Sequence, residues 1–308
     1  MSYLNQIDFT AQVRDIFDAK GNRIPSEIGR GVYRDDTDEL MAICGPGFKP
    51  VQHKDVVQPI LDQLTGQGYD LELRNGGSRN ALYDMRGKKG AWVSPKVSDN
   101  GAVMRTDIIL GDFIEVPGQF NGHGLRTRGT EDLNFFRISI LNSHNSKFAV
   151  KVNTDYLRLI CFNGMTSPHF SAGSYGKHTV NFNVDGLNRQ VENAIGMMDQ
   201  DAERFAQMAQ TMITSEQAVE MLKLTIAKLP NKPTGEAHFS EPLINKIMHR
   251  FNTETDGRSA WDLFNAVTSW STHEKLRSNA DAISGIVGRE TKVAAMLRSK
   301  EWNEMLPV

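Results

Sequence analysis

Basic, glycine and aromatic residues interleave between residues 74 and 92, in the stretch RNGGSRNALYDMRGKKGAW. Single-stranded nucleic acid is bound by cations placed along its phosphates and by flat rings placed against its unpaired bases. The residues of this stretch that could make such contacts are Arg74, Arg79, Tyr83, Arg86, Lys88, Lys89 and Trp92. The pattern favours a nucleic-acid interface, and a solvated basic hairpin is the alternative interpretation.

Further cations continue this basic character into the segments that follow. Residues 71–178 hold 14 Lys and Arg against 9 Asp and Glu, although the whole chain has a net charge of −2. A basic segment in an otherwise acidic chain attracts a polyanion locally. The additional candidate DNA contacts are Arg105, Arg126, Arg128, Arg137, Lys147, Lys151, Arg158 and Lys177. Because Arg158 alternates with Leu157 and Leu159, we expect its side chain to point away from the core, towards a groove or a partner.

The sequence carries no recognisable motif for catalysis. It has no Walker phosphate loop and no GxSxG, HExxH or CxxC motif, and Cys44 and Cys161 have neither disulfide-framework nor zinc-site spacing. His144, His178 and the acidic turn at residues 35–39 are the candidates for metal binding, but hydrogen-bonding histidines and a solvated turn are the more ordinary interpretations. We therefore expect no enzyme activity, no catalytic residue, no metal and no cofactor.

Hydrophobic periodicity predicts an α+β fold. A helix is predicted over residues 53–65 from the helical spacing of Val56, Val57, Ile60, Leu61 and Leu64. Between residues 69 and 160, β-rich runs separated by turn residues predict a curved antiparallel sheet of hairpins, with that helix packed on it. We expect a loosely ordered arm at 1–30, an α+β nucleic-acid-binding core at 31–184 and a helical region at 185–308.

The C-terminal region has helical periodicity. A heptad seam of apolar residues extends from Leu187 to Met212 and predicts a long helix. Capping boxes at 214–217 and 259–262 predict the starts of two further helices, and Pro242 suits the first turn of another. The seam can be buried inside one chain, which is the more ordinary outcome, or between subunits. The second outcome would place subunit contacts in this region.

Three parts of the chain resemble one known family. The first is GFKPVQH at residues 47–53, and the second combines ISILNSHNS at 138–146 with RLICFNGM at 158–165. The third is AWDLFNAVTSWSTH at 260–273. Together they resemble the phage/plasmid-like proteins grouped as domain of unknown function 932, over about residues 30–280.

The resemblance has one departure and several implications. Where family members carry Asp-Gly after the Ser-His pair, this chain has Asn145-Ser146, and asparagine can take the same turn. The family's helix-and-curved-sheet layout is similar to that of the single-strand annealing recombinases of phages and eukaryotes. This fold-level similarity implies an ATP-independent protein that binds single-stranded DNA and anneals strands in phage or plasmid recombination. It also implies a homo-oligomer, in which the subunits of a ring or filament line one strand.

The cytoplasm of a bacterial host is the expected compartment, because the chain has no apolar run long enough to cross a membrane and no secretion signal. A phage exonuclease or a host single-strand binding protein is an expected partner, and a membrane is not. The alternative function is a non-enzymatic phage regulator or host-interaction protein. A nuclease or other metal enzyme is a third interpretation, for which the sequence lacks a carboxylate cluster with a matching base.

Overall fold

The structure, a computed structural model, describes residues 4–74, 79–116, 132–159, 164–165, 175–176, 185–230, 238–255, 258–274 and 282–306. Its strands are β1 (Ala11–Arg14), β2 (Arg30–Arg34), β3 (Leu40–Cys44), β4 (Asp70–Leu73), β5 (Gly90–Val97), β6 (Val103–Val116), β7 (Asp132–Ser143), β8 (Val150–Arg158), β9 (Gly164–Met165), β10 (Tyr175–Gly176), β11 (Lys228–Leu229) and β12 (His238–Phe239). Its helices are α1 (His53–Gly66), α2 (Arg79–Met85), α3 (Asp185–Ile195), α4 (Met198–Gln210), α5 (Ser215–Leu224), α6 (Glu241–Thr253), α7 (Ala260–His273), α8 (Ala282–Arg298) and α9 (Lys300–Met305). None of these described helices is long and apolar enough to span a membrane.

The strands β4 to β10 form the central sheet, in the order β10-β8-β7-β6-β5-β4, with β9 also paired to β8. Its described pairings are antiparallel except that of β4 with β5. Parallel neighbours need a crossover connection, and α2 lies in the connection between these two strands. A β-bulge between Ile109 and Phe113 interrupts the register of β6 with β7. The predicted antiparallel sheet of hairpins is confirmed, with one parallel pair at its edge that the sequence pattern did not predict.

One face of the central sheet joins α1, α3, α4 and α7 in the main hydrophobic core. The helix predicted over 53–65 is α1, and the five apolar residues that predicted it are all buried. Ile108, Ile138 and Tyr156 are among the strand residues of this core. Because successive side chains of a strand point to opposite faces, the residues between them belong to the other face of the sheet, called here the outer face.

The apolar seam from Leu187 to Met212 is divided between α3 and α4. The helix is interrupted at Gly196, because glycine is a poor helix former. Leu187, Val191 and Phe205 are buried in the main core, whereas Met212 at the end of the seam is exposed. The seam is therefore mainly buried inside the chain, and the predicted single long helix is wrong.

Local signals for the other C-terminal helices are confirmed. The capping boxes are present at Thr214, before α5, and at Ser259, before α7. Pro242 lies in the first turn of α6. Trp261, inside the second capping box, and Phe264, which follows it, are fully buried. The predicted α+β class with a helical C-terminal region is confirmed.

The N-terminal residues are better packed than the sequence suggested. Leu4 and Ile7 are buried in the main core, and β1 pairs with β2. The prediction of a loosely ordered arm is therefore wrong for residues 4–14, because most of the apolar residues there are buried. The same core also contains Leu306. The segments predicted as a binding core and a helical region thus share one hydrophobic core.

Candidate nucleic-acid interface

The cations of residues 86–89, called here the basic turn, are held against the bulge of β6. The Gly87 N–H donates a hydrogen bond to the carbonyl of Gly111 at 2.8 Å. The Asp70 N–H, on β4, donates to the carbonyl of Lys89 at 2.8 Å. Lys88 and Lys89 are exposed. Backbone hydrogen bonds to two strands therefore fix the position at which these lysines are presented.

Gly111 allows the basic turn to approach the sheet so closely. A Cβ atom at this position would lie 2.2 Å from the carbonyl oxygen of Lys88 and 2.5 Å from that of Met85. Both oxygens belong to the backbone, which cannot move aside as the end of a flexible side chain can. Gly87 has a φ of +66°, in the left-handed region that glycine adopts readily. Two glycines thus determine where the turn lies.

Two cations of the basic turn lie over tyrosine rings. The guanidinium carbon of Arg86 is 3.9 Å from the ring centroid of Tyr83, and the Nζ atom of Lys89 is 4.3 Å from that of Tyr69. A cation over a ring face is attracted by the quadrupole of the ring, which restrains the flexible side chain. Arg86 and Tyr83 are both partly exposed. The pair therefore offers a flat, charged surface to solvent.

Trp92 cannot take the base-stacking role that the sequence predicted. Its side chain is 4% exposed and packs in a hydrophobic cluster with Leu82, Phe135 and Leu157. Arg74 lies over the same ring, with its guanidinium carbon 5.0 Å from the centroid. The indole is covered because α2 packs on this part of the outer face. Trp92 is therefore corrected from a DNA contact to a core residue.

Carboxylates lie beside two of the exposed cations. The Nζ atom of Lys89 is 3.8 Å from Asp112, and the Tyr69 hydroxyl donates a hydrogen bond to the same carboxylate at 2.5 Å. Burial, together with Asp112, raises the pKa of Tyr69, which keeps the phenol protonated as a donor. Arg74 forms an ion pair with Glu72 at 2.9 Å. These acids reduce the positive charge that the surface presents around Lys88.

Arg158 does not face a groove, and that prediction is wrong. The side chain is 5% exposed and forms a bidentate ion pair with Asp132, in which both N···O distances are 2.6 Å. The indole N–H of Trp261 donates to the same carboxylate at 2.9 Å. The alternation with Leu157 does place the two side chains on opposite faces. The face that Arg158 occupies, however, is covered by α7.

Arg105 and Arg137 are also buried, so neither is exposed at the surface, and their contact with DNA stays a prediction. The Nε atom of Arg105 donates to Asp107 at 2.9 Å, and Arg137 forms a bidentate pair with Asp155 at 2.6 Å for both bonds. Glu290 of α8 accepts from Arg105 at 2.8 and 2.9 Å and from Arg137 at 3.2 Å. These five side chains, called here the buried network, carry a formal net charge of −1.

Two carboxylates of the buried network titrate in opposite directions from their usual values. Burial and the carboxylate of Glu290 raise the pKa of Asp155 to about 6, although Arg137 opposes this shift. Burial also acts to raise the pKa of Asp107, but the two guanidinium groups outweigh it and hold that pKa well below its usual range. A proton that enters the network as the pH falls therefore binds to Asp155.

The remaining predicted contacts are not brought to the basic turn. Lys147 is exposed between β7 and β8, and Lys151 is partly buried near the start of β8. The bulge lies beside Phe135, and the far end of β7 lies at Ser143, which is roughly 26 Å further along the strand. Four predicted contacts fall outside what the structure describes, namely the side chain of Arg79 and the residues Arg126, Arg128 and Lys177.

A histidine pair was missed by the sequence interpretation. The rings of His53 and His144 are stacked, with centroids 4.0 Å apart. The amide of Asn142 donates to Nδ1 of His53 at 3.0 Å, and His144 donates from Nε2 to the carbonyl of Val51 at 3.1 Å. His144 is thus a hydrogen-bonding residue, as its ordinary interpretation predicted. Both histidines belong to segments that carry the family resemblance, and this shared membership is the signal that could have linked them.

Comparison with known proteins identifies the family. The family described as Domain of unknown function (DUF932) matches residues 119–301, more than half of the 308-residue chain. The match begins later than the resemblance predicted, so the segment at 47–53 lies outside it. No curated protein and no solved structure matches the chain, and the similarity to annealing recombinases stays a prediction. The family resemblance itself is confirmed, and the chain belongs to the family Domain of unknown function (DUF932).

Proposed function

We propose that this protein binds single-stranded DNA without ATP, through the basic turn and the neighbouring Arg74 and Tyr83, and that it anneals complementary strands as a homo-oligomer. The observation that carries the proposal is the attachment of the basic turn to Gly111. This attachment presents two exposed lysines beside an arginine–tyrosine pair at a fixed position. The lysines supply charge for phosphates, and the guanidinium plane of Arg86 supplies a surface on which an unpaired base stacks.

Single strands suit this surface better than duplex DNA does, because stacking on Arg86 requires a base that is not already paired. The number of exposed cations is small, so one subunit would bind weakly. Several subunits on one strand would add their contacts. The proposal of a homo-oligomer rests on this gain in affinity alone, because the apolar seam that could have formed a subunit contact is mainly buried inside the chain. A phage exonuclease that produces single strands, or a host protein that coats them, is the partner that the activity implies.

Fluorescence anisotropy with a labelled oligo-dT, measured over a series of salt concentrations, tests the interface. We expect a variant with Arg86→Ala, Lys88→Ala and Lys89→Ala to bind more weakly than the natural protein. Each lost phosphate contact reduces the slope of log affinity against log salt by roughly 0.7. A control variant with Lys20→Ala and Lys300→Ala removes exposed lysines elsewhere and should keep the natural slope.

Unchanged affinity and slope in a folded basic-turn variant would refute the interface. Equal affinity for duplex and single-stranded DNA would refute the preference for single strands. Annealing is followed by energy transfer between two labelled complementary oligonucleotides, at protein concentrations that also give the oligomeric state by light scattering. Binding by a strict monomer that does not accelerate annealing would leave the regulator function as the better explanation.

A further inference from the structure

Cations form a row across the outer face of the central sheet. Arg105 on β6 pairs in register with Lys96 on β5 and with Leu141 on β7. Leu141 in turn pairs with Lys151 on β8. Lys96 is exposed and Lys151 is partly exposed. The row therefore crosses four neighbouring strands, and Arg105 is its buried cation.

The outer face of the sheet also lies next to the basic turn. Arg137 pairs in register with Ile109 on one side and with Asp155 on the other. The next row along this face contains Phe135 and Leu157, which pack in one cluster with residues of α2. The basic turn follows α2 directly in sequence. The buried arginines and the exposed lysines of the basic turn thus lie on one side of the sheet.

Glu290 is held between the two arginines in the way that a phosphate would be. Arginine binds carboxylates and phosphates with the same forked arrangement of N–H donors. Arg105 keeps Asp107 as a second partner and Arg137 keeps Asp155, so both guanidinium groups remain oriented without Glu290. A phosphodiester carries the same single negative charge as the Glu290 carboxylate. Exchange of one for the other therefore leaves the net charge of the buried network unchanged.

The half of α8 that carries Glu290 is intrinsically weak as a helix. Gly285 and Gly288 lie one turn apart within it, and glycine is among the least favourable residues in a helix interior. A Cβ atom at Gly288 would meet nothing within 4 Å, so packing does not require glycine there. Val293 and Leu297, in the second half, are buried in the main core. Val287 in the first half is buried as well, but it lies outside the main core, so the first half is held more weakly and can unwind while the second half stays packed.

We propose that Arg105 and Arg137 form a second phosphate site for single-stranded DNA, which the carboxylate of Glu290 occupies until the first half of α8 unwinds. The site rests on the proposed function, since it receives the strand that the basic turn binds first. Unwinding breaks the hydrogen bond from Nε of Arg289 to the carbonyl of Ser271, which is 2.6 Å long. Phosphate contacts to the two arginines compensate for this loss. In the closed state the site excludes other polyanions.

Hydrogen exchange of the full chain, with and without an oligo-dT long enough to reach both sites, tests the second site. Bound ligands usually slow exchange, because they stabilise the folded segments that they contact. We expect the oligonucleotide to slow exchange in the basic turn and to accelerate it at residues 282–290. Acceleration at α8 is the result that a merely structural role of Glu290 does not give.

Two variants shift the opening of α8 in opposite directions. Gly288→Ala favours the helix without steric cost, so we expect the population of the opened state to decrease about fivefold. The affinity for the oligonucleotide should decrease with it. Glu290→Gln keeps the side-chain volume but removes the charge, and affinity should rise roughly tenfold. Glu304→Gln removes the same charge from the exposed surface of α9 and is the matched control. Its affinity should equal that of the natural protein.

Slower or unchanged exchange at residues 282–290 on adding the oligonucleotide would overturn the second site. An oligonucleotide affinity of the Gly288→Ala variant equal to that of the natural protein would overturn the second site as well. This test holds even if Glu290→Gln proves too unstable to measure. Either result leaves the proposed DNA contact of the basic turn standing, because the salt dependence of the basic-turn variants is measured separately. No oligonucleotide binding by the natural protein at any salt concentration would remove the proposed function and the second site together.

Discussion

The carbonyl oxygen of Lys88 lies 2.2 Å from the point that a Cβ atom of residue 111 would occupy. Any side chain at Gly111 must therefore push the basic turn away from the sheet. We predict that Gly111→Ala weakens single-stranded DNA binding although every charge stays in the chain. Overpacking of this kind should also lower the free energy of unfolding by about 1–3 kcal/mol. Anisotropy and urea unfolding measure the two effects.

Gly45→Ala is the matched control for this substitution, because a Cβ atom at Gly45 would meet nothing within 4 Å. It should change neither DNA affinity nor stability by more than about 0.5 kcal/mol. If a folded Gly111→Ala protein bound single-stranded DNA with the same affinity as the natural protein, the position of the basic turn would be irrelevant to binding.

Arg158 is predicted to stabilise the fold rather than to bind DNA. Arg158→Ala leaves the buried carboxylate of Asp132 without its bidentate partner, so the free energy of unfolding should fall by about 3–5 kcal/mol. Arg158→Lys should restore only part of this loss, because an ammonium group cannot make the forked pair. Urea unfolding measures these differences, with exposed Lys147→Ala as the control. A reduced salt slope of DNA binding in a folded Arg158→Lys protein would instead return this residue to the interface.

The raised pKa of Asp155 predicts a specific pH dependence of stability. In the folded protein Asp155 binds a proton up to about pH 6, whereas in the unfolded chain it loses that proton near its ordinary value of 3.8. The folded state therefore binds more protons between these two values, and this group's contribution to stability falls as the pH rises from about 4 to about 6.

Asp155→Asn removes this titration and isolates its effect. The unfolding free energy of the natural protein minus that of the variant should decrease across the same pH interval and become constant above it. Urea unfolding at several pH values measures the difference. A difference that increases with pH would show that Arg137 dominates and that the pKa of Asp155 is lowered.

Ser146 has a φ of +60°, at the position where the family resemblance predicts a glycine. A residue with a Cβ atom is strained in this left-handed conformation, and glycine is not. We predict that Ser146→Gly raises the free energy of unfolding by up to about 1 kcal/mol, after the greater flexibility of the unfolded chain is subtracted. Ser146→Ala keeps the Cβ atom and should give no gain. Thermal unfolding of the two variants in parallel decides between them.

Elements that depend on neighbouring residues could be predicted from the sequence. The apolar spacing that predicts α1 acts within a few turns, and the capping boxes at Thr214 and Ser259 span four residues each. The environment of Arg105 could not be predicted, because its partner Glu290 is 185 residues away in sequence. Alternation along a strand determines which face a side chain takes, but not what covers that face.

In the candidate site, too, features that depend on neighbouring residues could be predicted and long-range contacts could not. The lysines of the basic turn could be identified from composition, since charged side chains in a glycine-rich turn are usually exposed. Their attachment to Gly111 depends on a contact between the turn and β6, and no local pattern marks it. The burial of Trp92 likewise depends on the packing of α2 over it. Sequence reasoning therefore located the basic turn, but it did not predict that Trp92, Arg137 and Arg158 are buried.

The presence of Leu4 and Leu306 in one hydrophobic core restricts how this protein can be dissected. A recombinant fragment limited to residues 31–184 would lose α4 and α7, and the strand side chains that these helices cover, such as Tyr156, would meet water. Apolar faces of that kind drive aggregation, so nucleic-acid binding by such a fragment would not represent the native surface. Point substitutions in the intact 308-residue chain are therefore the suitable means of mapping its activity.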